Sequence, residues 1–138
     1  MNQKKLLLLS AILIGISACK KDDHHDHDHG NSNDKTNPSI TINTPFKSEY
    51  EVGDTAYVNV TVTDNEELHE AKCWFVTRPQ NDTLWLNKRH SHSKSINFNT
   101  FYVIGQLAEE QKVDFEVKAE DEAGNIATQK QSFEIHNH

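Results

Sequence analysis

The sequence has none of the residue patterns by which common hydrolases are recognised. It contains no Gly-x-Ser-x-Gly nucleophile motif, no His-Glu-x-x-His zinc-protease motif and no arrangement that suggests a Ser-His-Asp triad. Each pattern supplies a nucleophile, a base or a metal ion in fixed geometry, so their absence argues against hydrolytic chemistry. We therefore expect a binding protein and not an enzyme, with no organic cofactor.

Basic residues are also scarce relative to acidic ones. The chain of 138 residues has 14 Lys and Arg against 21 Asp and Glu, which gives a net charge of −7 with histidine neutral. An acidic surface repels both phosphate backbones and anionic lipid headgroups. The composition therefore argues against nucleic acid as a partner and is compatible with cations.

No apolar run is long enough to span a bilayer. The longest one, at residues 6–16, follows two lysines and has the length of a signal-peptide core. The tetrad Ile16-Ser-Ala-Cys19 comes next and resembles the bacterial lipobox, in which the cysteine thiol is diacylated and the chain is cut just before it. The resemblance implies that residues 1–18 are a lipoprotein signal peptide and that Cys19 carries the lipid. The alternative is an ordinary secretory signal with an incidental cysteine.

The residues that follow the lipobox bear on the side of the membrane. Lys20-Lys-Asp-Asp23 resembles the surface-export signal of Bacteroidetes lipoproteins. That resemblance implies an outer-membrane lipoprotein exposed at the cell surface; without export, the protein would face the periplasm. Several acyl chains on one residue give a stable anchor, because each buried methylene contributes about 0.8 kcal/mol.

Cysteine is nearly absent, with only Cys19 and Cys73 in the chain. Lipidation of Cys19 would leave Cys73 without a partner, so we predict no intramolecular disulfide despite the extracytoplasmic location. The fold must then rest on its hydrophobic core. Cys73 alternates in phase with Ala71 and Phe75, which favours a buried structural thiol. The alternative is a copper ligand acting with two imidazoles.

Large apolar side chains are missing from residues 20–37, so we predict that the lipidated tether, residues 19–37, is disordered. Four histidines and four aspartates fall within residues 22–29. Imidazole is the commonest protein ligand for Zn(II) and Cu(II), and carboxylates complete such sites. We therefore predict a transition-metal site in the tether, with these ligands: His24, His25, His27 and His29. The alternative is a solvated, charged spacer.

Helical periodicity is absent from the remainder, residues 38–138, where apolar residues recur with period two. The alternation predicts seven short strands, at 40–43, 55–63, 69–77, 83–87, 95–103, 112–120 and 126–135. Seven strands separated by turns predict an all-β chain, folded as a single immunoglobulin-like β-sandwich after the tether. The Cys-Trp-Cys spacing of antibody domains is lacking.

Several segments together resemble an uncharacterised family of Bacteroidetes His-rich Ig-like lipoproteins. They are the lipobox, the His-rich tether, the segments at 62–68 and 119–125, and the His90-Ser-His92 triplet. The resemblance covers nearly the whole chain. It implies a lipoprotein with an Ig-like fold and brings no established activity with it.

Up-and-down topology predicts that the loops at 64–68, 88–94 and 121–125 share the end of the sandwich at which the tether enters. His90 and His92 then form a chelating pair, since alternate side chains of an extended segment project the same way. We predict that they bind a transition metal ion together with His69 or Asp64. Other acidic residues expected at this end are Glu66, Glu67, Asp121 and Glu122. His136 and His138 are expected at the opposite end. The alternative is that these are solvated loop residues.

These observations predict a monomeric, surface-anchored lipoprotein that binds Zn(II) or Cu, as an accessory to metal uptake or buffering. Its partners would be the membrane, through the lipid anchor, and an outer-membrane metal transport system. The alternative is an adhesion, glycan- or protein-binding module in which the tether is only a spacer. Such a module would use its loops, or Trp74 and Trp85 as an aromatic platform, unless both tryptophans pack inside the sandwich.

Overall fold

The computed structural model describes residues 33–137, which form six β-strands. They are β1 (Ser39–Ile42), β2 (Glu49–Glu51), β3 (Thr55–Arg78), β4 (Thr83–Val103), β5 (Gln111–Asp121) and β6 (Ile126–His136). Within residues 33–137, no helix has the length and apolar character needed to cross a membrane. The predictions for Cys19, the tether histidines and His138 lie outside the described residues.

The strands form one hydrogen-bonded sheet in the order β1-β3-β5-β6-β2, with β4 on the other side of β3. β3 pairs with β4 on both sides of residues 64–67; residues 60–63 of β3 also pair with β1, and residues 68–78 also pair with β5. All of these pairings are antiparallel, and only β2 runs parallel to its neighbour β6.

The long β3–β4 hairpin bends near its middle and passes from one layer of the fold to the other. The bend lies at residues 64–67 of β3, where the register with β4 shifts. Layer one comprises β1 and the adjoining parts of the hairpin, residues 55–63 and 95–103. Layer two comprises the rest of the hairpin with β5, β6 and β2. Phe75 of layer two packs against Tyr102 of layer one, with ring centroids 5.4 Å apart.

One hydrophobic core fills the space between the layers. Val58, Val60 and Val62 of layer one are almost fully buried, and Phe75 and Phe115 of layer two are fully buried. Each such side chain contributes about 1.5–3 kcal/mol relative to an exposed position. Because strand residues alternate between faces, the residues between these core positions face outward.

Cys73 belongs to this core and is fully buried. Burial raises the pKa of its thiol to about 12, an effect that the charge of Arg89 only partly offsets. A thiol of this kind is a poor nucleophile and a poor metal ligand, because both roles need the thiolate. The structure therefore favours the structural interpretation of Cys73.

The predicted all-β sandwich class is confirmed, although the strands are divided differently. The predicted strands at 55–63 and 69–77 are both parts of β3, and those at 83–87 and 95–103 are both parts of β4. The loops expected at 64–68 and 88–94 are therefore wrong. Polar residues interrupt the alternation there because the hairpin changes layer, and yet backbone pairing resumes on each side of the bend.

β2 was not predicted from the sequence. It has only three residues, of which Tyr50 is buried and its two neighbours are exposed. Alternation over three residues is too short to distinguish a strand from a loop. β2 is held in place by tertiary contact, since the Tyr50 ring packs on Phe133 with centroids 5.0 Å apart.

Candidate functional site

The bend in β3 and the turn between β5 and β6 meet at one end of the sandwich. Leu68 is paired with Asp121, and the Glu122 amide donates a hydrogen bond of 3.0 Å to the Glu67 carbonyl. The turn closes through Gly124, whose φ of +85° favours a residue without a side chain. Two groups of ligand-type side chains are positioned by this junction.

The first group, which we call the histidine cluster, comprises His69, His90, His92, Glu70 and Glu122. The Oε1 atom of Glu122 lies 3.3 Å from Nδ1 of His69 and 2.8 Å from Nδ1 of His92. The rings of His69 and His90 meet edge to face, with centroids 5.7 Å apart. Two imidazoles thus share one carboxylate at the surface, and a third imidazole packs against the first.

The second carboxylate of the histidine cluster, Glu70, lies under His90. Its Oε2 atom is 3.5 Å from Nε2 of His90 and 2.6 Å from the ammonium of Lys88. The hydrogen bond from Lys88 lowers the pKa of Glu70 despite its partial desolvation, and the nearby charges of Lys88, His90 and Lys72 act in the same direction. Glu70 is therefore ionised at neutral pH.

This arrangement has the elements of a transition-metal site. A ligating histidine commonly binds the ion through one ring nitrogen while a carboxylate holds the other, and Glu122 makes that contact with two rings. The side chains of His90 and His92 are 60% and 74% exposed. They can therefore turn toward an ion without disturbing the core.

The second group, which we call the aspartate cluster, comprises Asp34, Asp64 and Asp121. One carboxylate oxygen from each residue lies within 4.8 Å of the others. Asp121 is 3% exposed and accepts hydrogen bonds of 2.7 Å from the main-chain amide and the side-chain amide of Asn125. The side chain of Asn65 donates to Asp34 at 3.0 Å. This group therefore collects oxygen ligands only.

Of the four metal ligands predicted within the domain, the structure brings three together and separates the fourth. His69, His90 and His92 lie in the histidine cluster, whereas Asp64 lies in the aspartate cluster. His136 is at the opposite end of the sandwich, as expected, with Nδ1 at 3.3 Å from Oε1 of Glu110.

Two members of these groups were not recognised from the sequence. Glu70 is one residue among many acids of the chain, and only its cross-strand pairing with His90 reveals it. Asp34 precedes the predicted domain boundary at Pro38 and follows no apolar pattern. In the sequence, Asp34 is marked only by its carboxylate and by its position near the end of the tether.

The two tryptophans do not form a shared platform, since they lie on opposite faces of layer two. Trp85 is paired with Phe75 and packs against its ring, with centroids 5.4 Å apart. Trp74 is paired with Leu86 on the outer face, where the ammonium of Lys72 lies 5.0 Å from its ring centroid. An aromatic platform built from both is therefore wrong.

A further carboxylate, Asp114, is 2% exposed and lies far along β5 from the junction. Burial alone would raise its pKa. Hydrogen bonds from Ser132 at 2.6 Å, Arg78 at 2.8 Å and Lys130 at 3.3 Å outweigh burial and lower the pKa to about 2. The cationic partners of this carboxylate, Arg78 and Lys130, belong to the protein itself, so its role is structural.

No protein-family profile and no curated protein matches the chain. A solved structure that it resembles is the crystal structure of Spo0M, a sporulation control protein from Bacillus subtilis. The TM-score is 0.45 and the sequence identity 8%, over 74% of this chain and 49% of Spo0M. The chain thus spans about half the length of Spo0M. At this level of similarity, nothing about ligands or partners carries over.

Proposed function

We propose that this chain is a surface-anchored lipoprotein that binds Zn(II) or Cu through the histidine cluster and the His-rich tether. It would deliver the ion to an outer-membrane transport system or buffer it at the cell surface. The observation that carries the proposal is that His69 and His92, from different strands, reach the same oxygen of Glu122. The ring of His90 lies edge to face with that of His69, so that three imidazoles from two strands are neighbours at this end of the sandwich.

The histidine cluster and the tether would bind metal differently. The cluster histidines are fixed at their backbones by the β3–β4 hairpin, so little chain entropy is lost when they chelate an ion. The tether offers four histidines close in sequence but no apolar residue to hold them in place. We therefore expect one tighter ion at the cluster and weaker ions on the tether.

Thermal unfolding distinguishes the two kinds of site, because only an ion bound to the folded state raises the melting temperature. The starting protein is the full chain with His24, His25, His27 and His29 changed to alanine. Zn(II) at about 100 times its dissociation constant should stabilise this protein by about 2.7 kcal/mol. The His90→Ala, His92→Ala double variant should lose most of that gain.

The matched control is His136→Ala, which removes a half-buried histidine at the other end of the sandwich. It should keep the full response to Zn(II). A melting temperature that does not change with Zn(II) or Cu(II), or that rises equally in the double variant, would contradict the proposal for the histidine cluster.

The anchor is tested separately in cells. Cys19→Ala removes the thiol to which lipid would be attached, and it should move the protein out of the membrane fraction. Cys73→Ala serves as the control, because that thiol lies in the core and should not affect fractionation. Membrane association that survives Cys19→Ala would rule out the lipoprotein assignment.

A second candidate function, adhesion to a neutral glycan, is favoured by the outer face of layer one. Tyr57 and Phe101 are paired across the strands there, and their side chains are 63% and 58% exposed. The rest of this face is uncharged. Besides the exposed Val103 it carries polar residues, among them Thr41, Asn43, Asn59, Thr61, Thr63, Ser95, Asn97 and Asn99. Aromatic rings stack on sugars, and amides and hydroxyls bond to their hydroxyl groups, so this face suits a polyol.

The glycan candidate predicts that Tyr57→Ala and Phe101→Ala abolish binding on a glycan array, while the His90→Ala, His92→Ala variant binds normally. Leu86→Ala is the control, since Leu86 is an exposed apolar residue on the other layer. Equal binding by all of these variants would exclude this face as the binding surface.

A further inference from the structure

The aspartate cluster holds three carboxylates close together. Among residues 33–137, none of its three members forms an ion pair with Lys, Arg or His. The nearby Lys94 donates its ammonium to the Asn65 carbonyl at 2.7 Å instead. Like charges held this close repel, and partial burial strengthens the repulsion because there is less water to screen it.

A second, independent observation comes from Asp64 itself. Its Oδ1 atom accepts a hydrogen bond of 2.9 Å from the Glu66 amide, while its Oδ2 atom is buried and has no hydrogen-bond partner among the described residues. A buried carboxylate oxygen without a donor loses its hydration and gains nothing in return. A cation bound among the three carboxylates would compensate this oxygen for its lost hydration.

We propose that the aspartate cluster is a Ca²⁺-binding site. Oxygen donors alone suit a hard cation, whereas Zn(II) and Cu(II) prefer the imidazoles that this group lacks. Ca²⁺ takes 6–8 oxygens at distances of 2.3–2.6 Å, so two of its ligands can be nearly 5 Å apart. The separation of at most 4.8 Å between the carboxylate oxygens is compatible with one shared Ca²⁺ ion.

The three aspartates belong to three separate parts of the chain. Asp64 begins the bend in β3, Asp121 ends β5, and Asp34 lies just before β1, where the tether enters. The Asp34 carbonyl also accepts a hydrogen bond of 3.1 Å from the Asn125 side chain. A Ca²⁺ ion bound here would fasten the tether to the domain and so fix the direction in which the domain leaves the membrane. Binding of Ca²⁺ here does not depend on the proposed transition-metal function, whereas the orientation relative to the membrane rests on the proposed lipid anchor.

Thermal unfolding of the full chain tests the Ca²⁺ site. After treatment with a chelator, millimolar Ca²⁺ should raise the melting temperature by about 5 °C or more. The same concentration of Mg²⁺ should have a smaller effect, because Mg²⁺ requires tighter, near-ideal octahedral coordination.

Variants assign the effect to the cluster. Asp64→Asn keeps the shape of the side chain and Asp34→Ala lies outside the strands, so both should fold and both should lose most of the Ca²⁺ response. Asp82→Asn, an exposed aspartate between β3 and β4, should keep that response. The His90→Ala, His92→Ala variant should also keep it, which separates this site from the histidine cluster.

Three results would overturn the proposal. They are a melting temperature that does not respond to Ca²⁺, an equal response in Asp64→Asn, and an equal response to Mg²⁺.

Discussion

The histidine cluster and the aspartate cluster occupy the same end of the sandwich and differ in nearly every property that matters to a metal ion. Consecutive residues of one turn, Asp121 and Glu122, contribute to each of them. The histidine cluster is exposed, rich in nitrogen donors and supplied with carboxylate partners. The aspartate cluster is partly buried, offers only oxygen and pairs with no cation among residues 33–137.

Ligand type and burial, and not location, decide which ion each cluster suits. Successive residues at the end of a strand point to opposite sides, so a single turn can serve two sites. Exposed imidazoles favour exchangeable binding of a transition metal, as a carrier needs. Buried carboxylates without a cation favour a resident hard ion, as a structural fastener needs.

Unfolding of the sandwich should remove both clusters at once, and this is the largest effect we expect. Val60→Asp places a charge in the core of layer one, where Val60 is fully buried. Its cost of several kcal/mol is comparable with the total stability of a small domain, so the variant should be largely unfolded and bind neither ion in a defined way.

Thr61→Asp is the matched control for Val60→Asp. Thr61 points outward, where its hydroxyl bonds to Asn43 and Asn97 at 3.0 Å, so the substitution should cost little and leave both metal responses in place. Melting curves followed by circular dichroism measure the difference. Equal melting temperatures for the two variants would contradict the assigned strand faces.

Unlike the aspartate cluster, Asp114 is a buried carboxylate that is paired with cations of the protein itself, Arg78 and Lys130. Its folded pKa of about 2 lies below the usual unfolded value of about 3.9, so its contribution to stability is present above pH 4 and is lost as the pH falls toward 2. Asp114→Asn should therefore cost about 2 kcal/mol at pH 7, independently of Ca²⁺ or Zn(II).

Urea unfolding of wild type and Asp114→Asn between pH 7 and pH 2 measures this contribution. The stability difference should shrink as Asp114 becomes protonated in the folded wild type. Asp82→Asn removes an exposed carboxylate and serves as the control. A difference that stays constant down to pH 2 would argue against the ion pairs of Asp114.

Mild acid should abolish the response to Zn(II) and leave the response to Ca²⁺. This is the smallest effect on stability that we expect. Metal binding needs neutral imidazole, so protons compete with Zn(II) and the Zn(II) response should fade as the pH falls from 7 to 5. The hydrogen bond from the Thr36 amide lowers the pKa of Asp34, which keeps that carboxylate ionised in the same range. The Ca²⁺ response should therefore persist at pH 5. Parallel loss of both responses would contradict the distinction.

Much of the fold follows from alternation along the chain. Residues 55–63 and 112–120 each have one buried face, so their strands and their inward residues could be predicted. The continuity of β3 and β4 could not, because the polar residues of the bend look like a loop until pairing with neighbouring strands is known. β2 escaped prediction because its place depends on contacts with β6, distant in sequence.

The candidate site was predictable where topology alone decides it. Up-and-down topology predicts that His69, His90 and His92 lie at one end of the sandwich. In the structure they are close together at that end, as expected. The separation of Asp64 from them depends on which way each side chain points at an irregular bend, which sequence periodicity does not report. Asp34 was invisible for a different reason: it joins the site through side-chain contacts alone, outside any strand.

The most direct test of this account is an amide NMR spectrum of the isotope-labelled full chain, recorded during separate titrations with Zn(II) and Ca²⁺. We predict that Zn(II) shifts signals near His90, His92 and the tether, while Ca²⁺ shifts those near Asp34, Asp64 and Asn125. The two ions should also bind together, each keeping its own set of shifts. Zn(II) shifts confined to the tether, with the amides of His90 and His92 unmoved, would contradict the central claim that the histidine cluster binds a transition metal.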